Sequence, residues 1–303
     1  MPTRRTLLKA FAGTVVTGAG FVSYAFAVEP GMRLIVKRYW ITPRGWPSDM
    51  ELRLAAIADL HVCEPYMPAA RVAEIVAATN ALKPDVTVLL GDYIGTHRFV
   101  TRHLEPREWA EPLGQLAAPL GVYSILGNHD WWHGLAPGMP PDEARAMRRT
   151  LEGVGIPVLE NDAVRLEKAG RAFWLVGLGD QIAHILGPNR FRGVDDLPAA
   201  LAQVYDAAPV ILLAHEPDIF PTVPARVSLT LAGHTHGGQV RVMGYSPVVP
   251  SAYGNRYAYG LVAERGRTMI VSGGLGTSIA PVRLGVPPEI VLVHLGGQPG
   301  PLT

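Results

Sequence analysis

Five short apolar runs in this sequence end directly in side chains that bind metal ions, and this regularity restricts the possible folds more than any other feature. The runs are typical of strands, and the blocks that follow them are Asp59-Leu60-His61, Gly91-Asp92, Gly127-Asn128-His129-Asp130, His215 and Gly233-His234-Thr235-His236. Because α/β folds gather ligands in loops at the carboxyl ends of strands, we expect these blocks to meet at one edge. Carboxylate and imidazole donors, with Cys63 as the single cysteine, suit Mn, Fe, Zn or Mg ions.

The order of the apolar runs predicts an α/β protein. We expect strands over 52–58, 86–90, 122–126, 210–214, 227–232, 268–272 and 290–295, a hairpin of 164–168 with 171–178 turning at Ala169-Gly170, and helices over 69–82, 106–116 and 142–153. With 303 residues, 48% of them apolar, the chain can bury a large core. We therefore predict one domain in which two sheets pack face to face with helices outside, and a frayed tail after Gly296.

The ordered set of five blocks resembles the calcineurin-like metallophosphoesterase superfamily. One block alone would be weak, but the order and the residue types of all five match. The later stretch, with Ser272-Gly-Gly-Leu-Gly-Thr-Ser278, Pro281-Val-Arg283 and Pro287-Pro288-Glu289, is similar to an exported or membrane-associated bacterial branch. The resemblance implies a four-layer α/β/β/α sandwich over residues 28–303, with the core motifs within 52–240.

The resemblance also implies a site with two divalent metal ions, for which Mn, Zn, Fe and Mg are candidates. Asp59, His61 and His236 would hold the first ion, Asn128, His215 and His234 the second, and Asp92 would bridge them. His129 would face the leaving oxygen without binding metal, and Asp130 would orient its imidazole. Two cations about 3.5–4 Å apart can share a hydroxide and hold a phosphoryl group for in-line attack. A nearby imidazole can then protonate the leaving alkoxide, so we expect a metal-dependent phosphoric ester hydrolase.

The N-terminus predicts the cellular compartment. Residues 1–27 carry three basic side chains, include Arg4-Arg5, have no charge from Ala10 onward and end Ala25-Phe26-Ala27. This pattern resembles a twin-arginine export signal with a signal-peptidase site. An uncleaved anchor is the alternative, because 18 uncharged residues can just span a bilayer. We expect the catalytic body in the periplasm or at the outer face of the cytoplasmic membrane, with the twin-arginine export machinery as a partner.

The charge balance and the export signal narrow the substrate class. Without residues 1–27 the 27 Lys and Arg fall to 24 against 26 Asp and Glu, so no nucleic-acid partner is expected. The run Gly91-Asp92-Tyr93 lacks the arginine that the superfamily's protein phosphatases carry after Gly-Asp, which argues against a phosphoprotein substrate. We expect a phosphodiesterase acting on an envelope or lipid-linked phosphodiester, with membrane association.

Three alternatives stay open for the function. A pyrophosphohydrolase of a UDP-sugar lipid precursor would need a cytoplasm-facing site, which the export signal argues against. A phosphomonoesterase would use the same residues. A non-catalytic metal-binding scaffold is the remaining alternative, although all seven ligand residues and His129 are present.

Four features near the blocks have more than one interpretation or a role that the sequence does not decide. We expect Trp131-Trp132 either to line the substrate pocket, to contact a membrane or to fill the core. His133 is a candidate substrate contact, and Asp180 either positions substrate or caps a turn. Arg283 is expected to form a structural ion pair near the sheet.

Overall fold

The structure is a computed structural model that describes residues 20–132 and 143–297. Residues 1–19 of the predicted export signal, His133 and the chain after Gly297 lie outside the described residues. In chain order the strands are β1 (Ile35–Ile41), β2 (Leu52–Ile57), β3 (Val86–Leu89), β4 (Val122–Ser124), β5 (Asp162–Lys168), β6 (Arg171–Gly177), β7 (His184–Gly187), β8 (Arg190–Arg192), β9 (Val210–Ala214), β10 (Val227–Ala232), β11 (Gly260–Glu264), β12 (Arg267–Val271) and β13 (Glu289–Leu295). The helices of five or more residues with α geometry are α1 (Ala69–Ala81), α2 (Pro106–Leu113), α3 (Asn128–Trp132), α4 (Glu143–Gly153) and α5 (Leu197–Ala202), and a short helix precedes them over Glu29–Met32.

Most of the strands belong to two mixed sheets. The first sheet has the order β1-β13-β2-β3-β4 and the second the order β11-β12-β10-β9-β6-β5, while β7 and β8 pair as a separate hairpin. In the first sheet β2, β3 and β4 are parallel neighbours. In the second sheet β6, β9, β10 and β12 run parallel. The carboxyl ends of these parallel strands therefore lie at one edge of each sheet.

A hydrophobic core between the two sheets holds them face to face. Successive side chains of a strand point to opposite faces, so alternate residues of each buried strand enter this core. Leu54 and Ala56 of β2 share it with Ile211 and Leu213 of β9 and with Leu229 of β10. The continuous apolar run of β9 reflects burial on both faces.

Helices cover the outer face of each sheet. Helices α1, α2 and α4 bury Ile75, Trp109 and Leu151 in the cluster on the first sheet. Helix α5 buries Ala200 in the cluster that includes Leu212 on the second sheet. The predicted four-layer α/β/β/α sandwich is confirmed.

Individual elements follow the sequence prediction with small shifts. The hairpin of β5 and β6 turns at Ala169 and Gly170 as predicted, both with positive φ. The second predicted helix ends at Leu113 rather than at residue 116, with Gly114 directly after it. Strands β1, β7, β8 and β11 were not predicted, because they are short or only partly buried. Helix α5 was not predicted either, because its six residues are too few to show a helical period.

A helical segment at the N-terminus, residues 20–32, packs on the sandwich. It contains a π-helical turn over Tyr24–Val28, and both Ala25 and Glu29 are buried. The carbonyl oxygen of Ala25 accepts a hydrogen bond from the backbone N–H of Arg283 at 2.9 Å. The segment thus runs through Ala27, the predicted cleavage position. Within residues 20–132 and 143–297 no helix combines the length and apolar character needed to cross a membrane.

Candidate metal centre

The five blocks meet where strands of both sheets end. The predicted ligands follow their strands within four residues: Asp59 and His61 come after β2, Asp92 after β3, Asn128 after β4, His215 after β9, and His234 and His236 after β10. The backbone N–H of His234 donates to Oδ1 of Asp59 at 2.9 Å, which joins the edges of the two sheets. The sandwich therefore brings together residues that lie up to 177 positions apart in the sequence.

The predicted ligands form two groups. In each group the candidate ligand atoms lie within 4.8 Å of one another, and the groups are Asp59, His61 and His236, and Asp92, His215 and His234. Asn128 joins the second group, since its Oδ1 lies 2.8 Å from Nδ1 of His234. Asp92 lies between the groups, with Oδ2 3.2 Å from Nε2 of His215 and 3.5 Å from Nε2 of His61. This is the place that a bridging carboxylate would occupy.

Five of these residues adopt a left-handed backbone that most side chains avoid. The φ angles are +54° at Asp59, +46° at His61, +59° at Asp92, +67° at His234 and +51° at His236. Such a conformation costs on the order of 1 kcal/mol at a non-glycine residue. The chain keeps this cost at five residues of three strand ends that share one centre, and such concentrated strain is typical of functional sites.

Backbone carbonyls orient two of the imidazoles. The carbonyl oxygen of Leu90 lies 2.6 Å from Nδ1 of His215, and that of Ile94 lies 3.2 Å from Nδ1 of His61. A carbonyl can only accept, so each Nδ1 donates and each Nε2 faces the centre. The Nε2 atoms of His61 and His236 approach to 3.0 Å, so both rings address one point.

Burial and charge together set the protonation of the centre. Burial raises the pKa of Asp59 to about 7 and lowers the pKa of His61 to about 3, so His61 is a neutral imidazole at neutral pH. Burial alone would raise the pKa of Asp92, but the charge of His215 holds it well below its ordinary value. Asp92 in turn raises the pKa of His215 against the effect of burial. A cation bound here would take the place of that imidazolium proton.

His129 lies at the edge of the centre, where Thr96 and Ser278 contact its ring. Oγ1 of Thr96 is 2.6 Å from Nδ1, and Oγ of Ser278 is 3.3 Å from Nε2. Burial lowers the pKa of His129, which makes its protonated form a stronger acid. Sequence reasoning gave neither hydroxyl residue a role: Thr96 lies outside the five blocks, and Ser278 ends the stretch Ser272–Ser278 that carried the resemblance, but only the fold brings both to the ring.

Asp130 has a different role from the one expected. Its buried carboxylate accepts hydrogen bonds from the backbone N–H groups of Asp92, Tyr93 and Gly127, each at 2.8 Å. These bonds tie the end of β3 to the end of β4. The expectation that Asp130 orients the imidazole of His129 is wrong, because the partner of that Nδ1 is Thr96.

Arg283 supports the centre from behind. The side chain is 0% exposed and donates hydrogen bonds of 2.8–2.9 Å to the carbonyl oxygens of Gly273, Gly276 and Val286. Its Nη2 also lies 3.2 Å from Nδ1 of His236. The expected ion pair is therefore wrong, because carbonyl groups take the hydrogen bonds of the guanidinium.

A glycine is required at the start of the third block. A Cβ at Gly127 would lie 2.5 Å from Oδ1 of Asp92 and 2.5 Å from Cε1 of His215. A larger residue would therefore displace two of the predicted ligands at once.

The donor set fits divalent cations. Asp59 is fully buried, yet its Oδ2 has no hydrogen-bond partner. Burying an unpaired carboxylate oxygen is costly, and a cation is the group that would satisfy it. Oxygen and imidazole donors without a thiolate suit Mn, Fe, Zn or Mg ions.

A large cavity of about 1110 Å³ opens directly onto the centre. Asp92, His129 and His234 lie in its wall together with apolar side chains such as Trp132 and Val248, and the ring of Trp132 lies 5.5 Å from that of His129. Among the described residues, no lysine or arginine lines it. The cavity can therefore hold a bulky apolar group next to the predicted metal ligands.

Contacts near this cavity decide between the interpretations given above for Trp131-Trp132 and for Asp180. Trp132 lines the cavity and stacks on Phe191 at 5.6 Å, whereas Trp131 packs against the core under the first sheet. Asp180 accepts a hydrogen bond from the backbone N–H of Ile182 at 2.9 Å, which is the turn-capping role.

Known proteins resemble this chain in sequence and in fold. The sequence matches the family model of the calcineurin-like phosphoesterases over residues 52–238. It is 30% identical over 265 residues to an uncharacterized metallophosphoesterase of Aquifex aeolicus (strain VF5), covering 88% of this chain and 93% of that protein. It is 29% identical over 296 residues to phosphodiesterase YaeI of Escherichia coli (strain K12), covering 97% and 100%. A solved structure, phosphopantetheinyl hydrolase from Mycobacterium tuberculosis, is similar at 15% identity with a TM-score of 0.43, covering 74% of this chain and 90% of that chain.

Proposed function

Since this chain belongs to the calcineurin-like phosphoesterase family and is a metal-dependent phosphoester hydrolase, we propose that it is a phosphodiesterase acting on an envelope or lipid-linked phosphodiester. The observation that carries the proposal is the composition of the cavity wall beside the predicted ligands. It holds apolar side chains and the acidic Glu216 and Asp218, and among the described residues it holds no lysine or arginine. A diester carries one negative charge and two organic groups, which suits this wall better than a dianionic monoester.

The residues of the chain would divide the chemistry between them. Asp59, His61 and His236 would hold one ion and Asn128, His215 and His234 the other, with Asp92 between them. Divalent ions, when bound, would polarise the phosphoryl group and lower the pKa of a water molecule. His129, held by Thr96 at Nδ1, would present Nε2 to the cavity and donate a proton to the leaving alkoxide. The apolar wall would exclude bulk water from the remainder of the substrate.

The N-terminal sequence supports an extracytoplasmic location. Arg4-Arg5 and the uncharged stretch that follows would direct the chain to the twin-arginine export machinery, and the catalytic body would then lie in the periplasm or at the outer face of the cytoplasmic membrane. Replacing both arginines with lysine should leave the protein in the cytoplasmic fraction, since the export receptor reads the arginine pair. Unchanged export of the double-lysine variant would contradict this route.

The deciding experiment compares two chromogenic substrates. The full chain is stripped of metal with a chelator and reloaded with Mn²⁺, Zn²⁺ or Mg²⁺, and the hydrolysis of bis-p-nitrophenyl phosphate is compared with that of p-nitrophenyl phosphate. We expect a clear preference for the diester and no turnover by the stripped protein. A preference for the monoester would indicate a phosphomonoesterase. Silence on both with metal bound would favour a pyrophosphate substrate or a non-catalytic scaffold, and either result overturns the proposal.

A further inference from the structure

The exposed apolar side chains of this protein concentrate around the mouth of the cavity. Large apolar side chains with high exposure include Met32, Met243, Val248 and Ile279, at 74%, 101%, 61% and 67%. We call the mouth face the segments 20–33, 97–99, 184–192, 238–253 and 276–283. Among the described residues, the large exposed hydrophobic side chains outside this face are Tyr205 and Leu261. Such a concentration exceeds the scattered exposure that is normal for a surface.

Four of the five segments border one opening, and the fifth contacts one of these four. Residues of four of them, among them His97, Phe191, Val248 and Ile279, line the cavity itself. The fifth, the N-terminal helical segment, lies against the last of the others, because the carbonyl of Ala25 bonds the backbone of Arg283. The exposed apolar residues therefore form a rim around the cavity.

The exposed charged residues of the mouth face are all basic, although Asp218 in the cavity wall accepts a hydrogen bond from Ser251 of this face. Its segments contain six arginines and one acidic residue, Glu29, which is buried. Four of the arginines are exposed: Arg33, Arg98, Arg190 and Arg192. The whole chain has 27 basic against 26 acidic residues, so this face is positive in a nearly neutral protein. A positive rim with protruding apolar side chains matches an anionic lipid surface, where arginines meet headgroups and apolar side chains enter the acyl boundary.

We infer that the mouth face docks on an anionic lipid bilayer, so that the cavity opens directly onto the lipid headgroups. A deformable bilayer can receive side chains from all five segments of the mouth face without filling the cavity between them. The chain outside the described residues adds to this, because residues 10–19 carry no charge and join the protein at Gly20, on the same face. The role of the docking in catalysis rests on the proposed function, in which the bilayer would present a lipid-linked diester to the metal centre.

The first test measures which side of the protein meets the bilayer. Single variants Met243→Cys and Tyr205→Cys of the full chain are labelled with an environment-sensitive fluorophore, which is selective because Cys63 is buried. Tyr205 is a matched control: it is 77% exposed but precedes the amino end of β9, away from the carboxyl ends that carry the centre. Phosphatidylcholine vesicles with phosphatidylglycerol should shift the emission of the label at residue 243 to the blue and leave the label at 205 unchanged. Equal shifts at both positions, or no shift at 243, would overturn the inference.

The second test measures affinity by vesicle co-sedimentation. The triple variant Met243→Ser/Val248→Ser/Ile279→Ser should partition on the order of a hundredfold more weakly than the unchanged chain, whereas Tyr205→Ser should not differ from it. Binding should also weaken without phosphatidylglycerol and at high salt, because the arginine contribution is screened. Equal binding of the triple variant would place the contact elsewhere, on residues 1–19 or on another surface. Because binding is read without turnover, failure of the docking and failure of the phosphodiesterase proposal are separate results.

Discussion

Replacing Arg283 with methionine tests whether one buried guanidinium supports both the fold and the centre. Methionine fills a similar volume but leaves the carbonyl oxygens of Gly273, Gly276 and Val286 without their donors at 2.8–2.9 Å. At about 1 kcal/mol for each buried acceptor, the free energy of unfolding should fall by about 3 kcal/mol. For a domain of this size that loss corresponds to a Tm lower by roughly 6–9 °C.

The same substitution should weaken metal binding. The guanidinium fixes the loop of Gly273 and Gly276, and the backbone N–H of Gly276 in turn donates to the carbonyl oxygen of Asp59 at 2.7 Å, which positions this predicted ligand. Removing a group that orients a metal ligand typically costs about tenfold to a hundredfold in metal affinity. Urea unfolding of the metal-free protein measures the first effect, and isothermal titration with Mn²⁺ measures the second.

Arg267 provides a matched control for Arg283. Its Nη1 also donates to three backbone carbonyls, those of Phe220, Pro221 and Val223, at 2.7–3.1 Å, but it makes no contact with a predicted ligand. Arg267→Met should therefore lower stability without changing the affinity for Mn²⁺. The reasoning is refuted if Arg283→Met binds metal as tightly as the unchanged chain, if both variants lose affinity equally, or if unfolding changes by less than about 1 kcal/mol.

Three further predictions concern single residues. Asp92→Asn should nearly abolish metal-dependent turnover, because it removes charge from the residue between the two ligand groups; unchanged turnover would exclude a bridging role. His129→Ala should leave metal content intact, because its backbone N–H rather than its ring bonds Asp92, while slowing hydrolysis by roughly a hundredfold and most for poor leaving groups. Loss of bound metal, measured by elemental analysis, would instead make His129 a ligand. Burial and the charge of Glu216 raise the pKa of Asp180 well above 3.8, so the native state holds a proton that the unfolded state releases. Stability should therefore decline as pH rises above that value, by up to about 1.4 kcal/mol per unit, and Asp180→Asn should flatten this decline in urea titrations; identical slopes would contradict it.

The order of the five blocks was sufficient to predict the fold and the family. Strand β9 is buried on both faces, so its sequence is a continuous apolar run that stands out without any structure. The elements that were not predicted lack this signal. Strand β1 is only partly buried along its length, and its register is set by pairing with β13 at the other end of the chain.

The predicted ligands could be named from the sequence because each directly follows a strand. The residues that contact the site from outside the blocks could not be named from the sequence. Thr96 and Ser278 lie outside the five blocks, and they reach His129 only because the loop after β3 and the connection from β12 of the second sheet to β13 of the first converge there. For Asp130 the sequence led to a wrong prediction. Its position next to His129 suggested a contact with that imidazole, but its carboxylate accepts hydrogen bonds from the backbone N–H groups of Asp92 and Tyr93 instead.

The sequence by itself therefore determined the reaction class, the donor types and the strand ends that carry them, because these depend on local pattern and on side-chain chemistry. Only the tertiary structure decided which groups orient the imidazoles, where Arg283 makes its bonds, and that the exposed apolar and basic residues share one face. Each of these depends on distances between segments far apart in the chain, such as Ala25 and Arg283. Such distances follow from how two twisted sheets and their loops pack, which no local pattern of residues encodes.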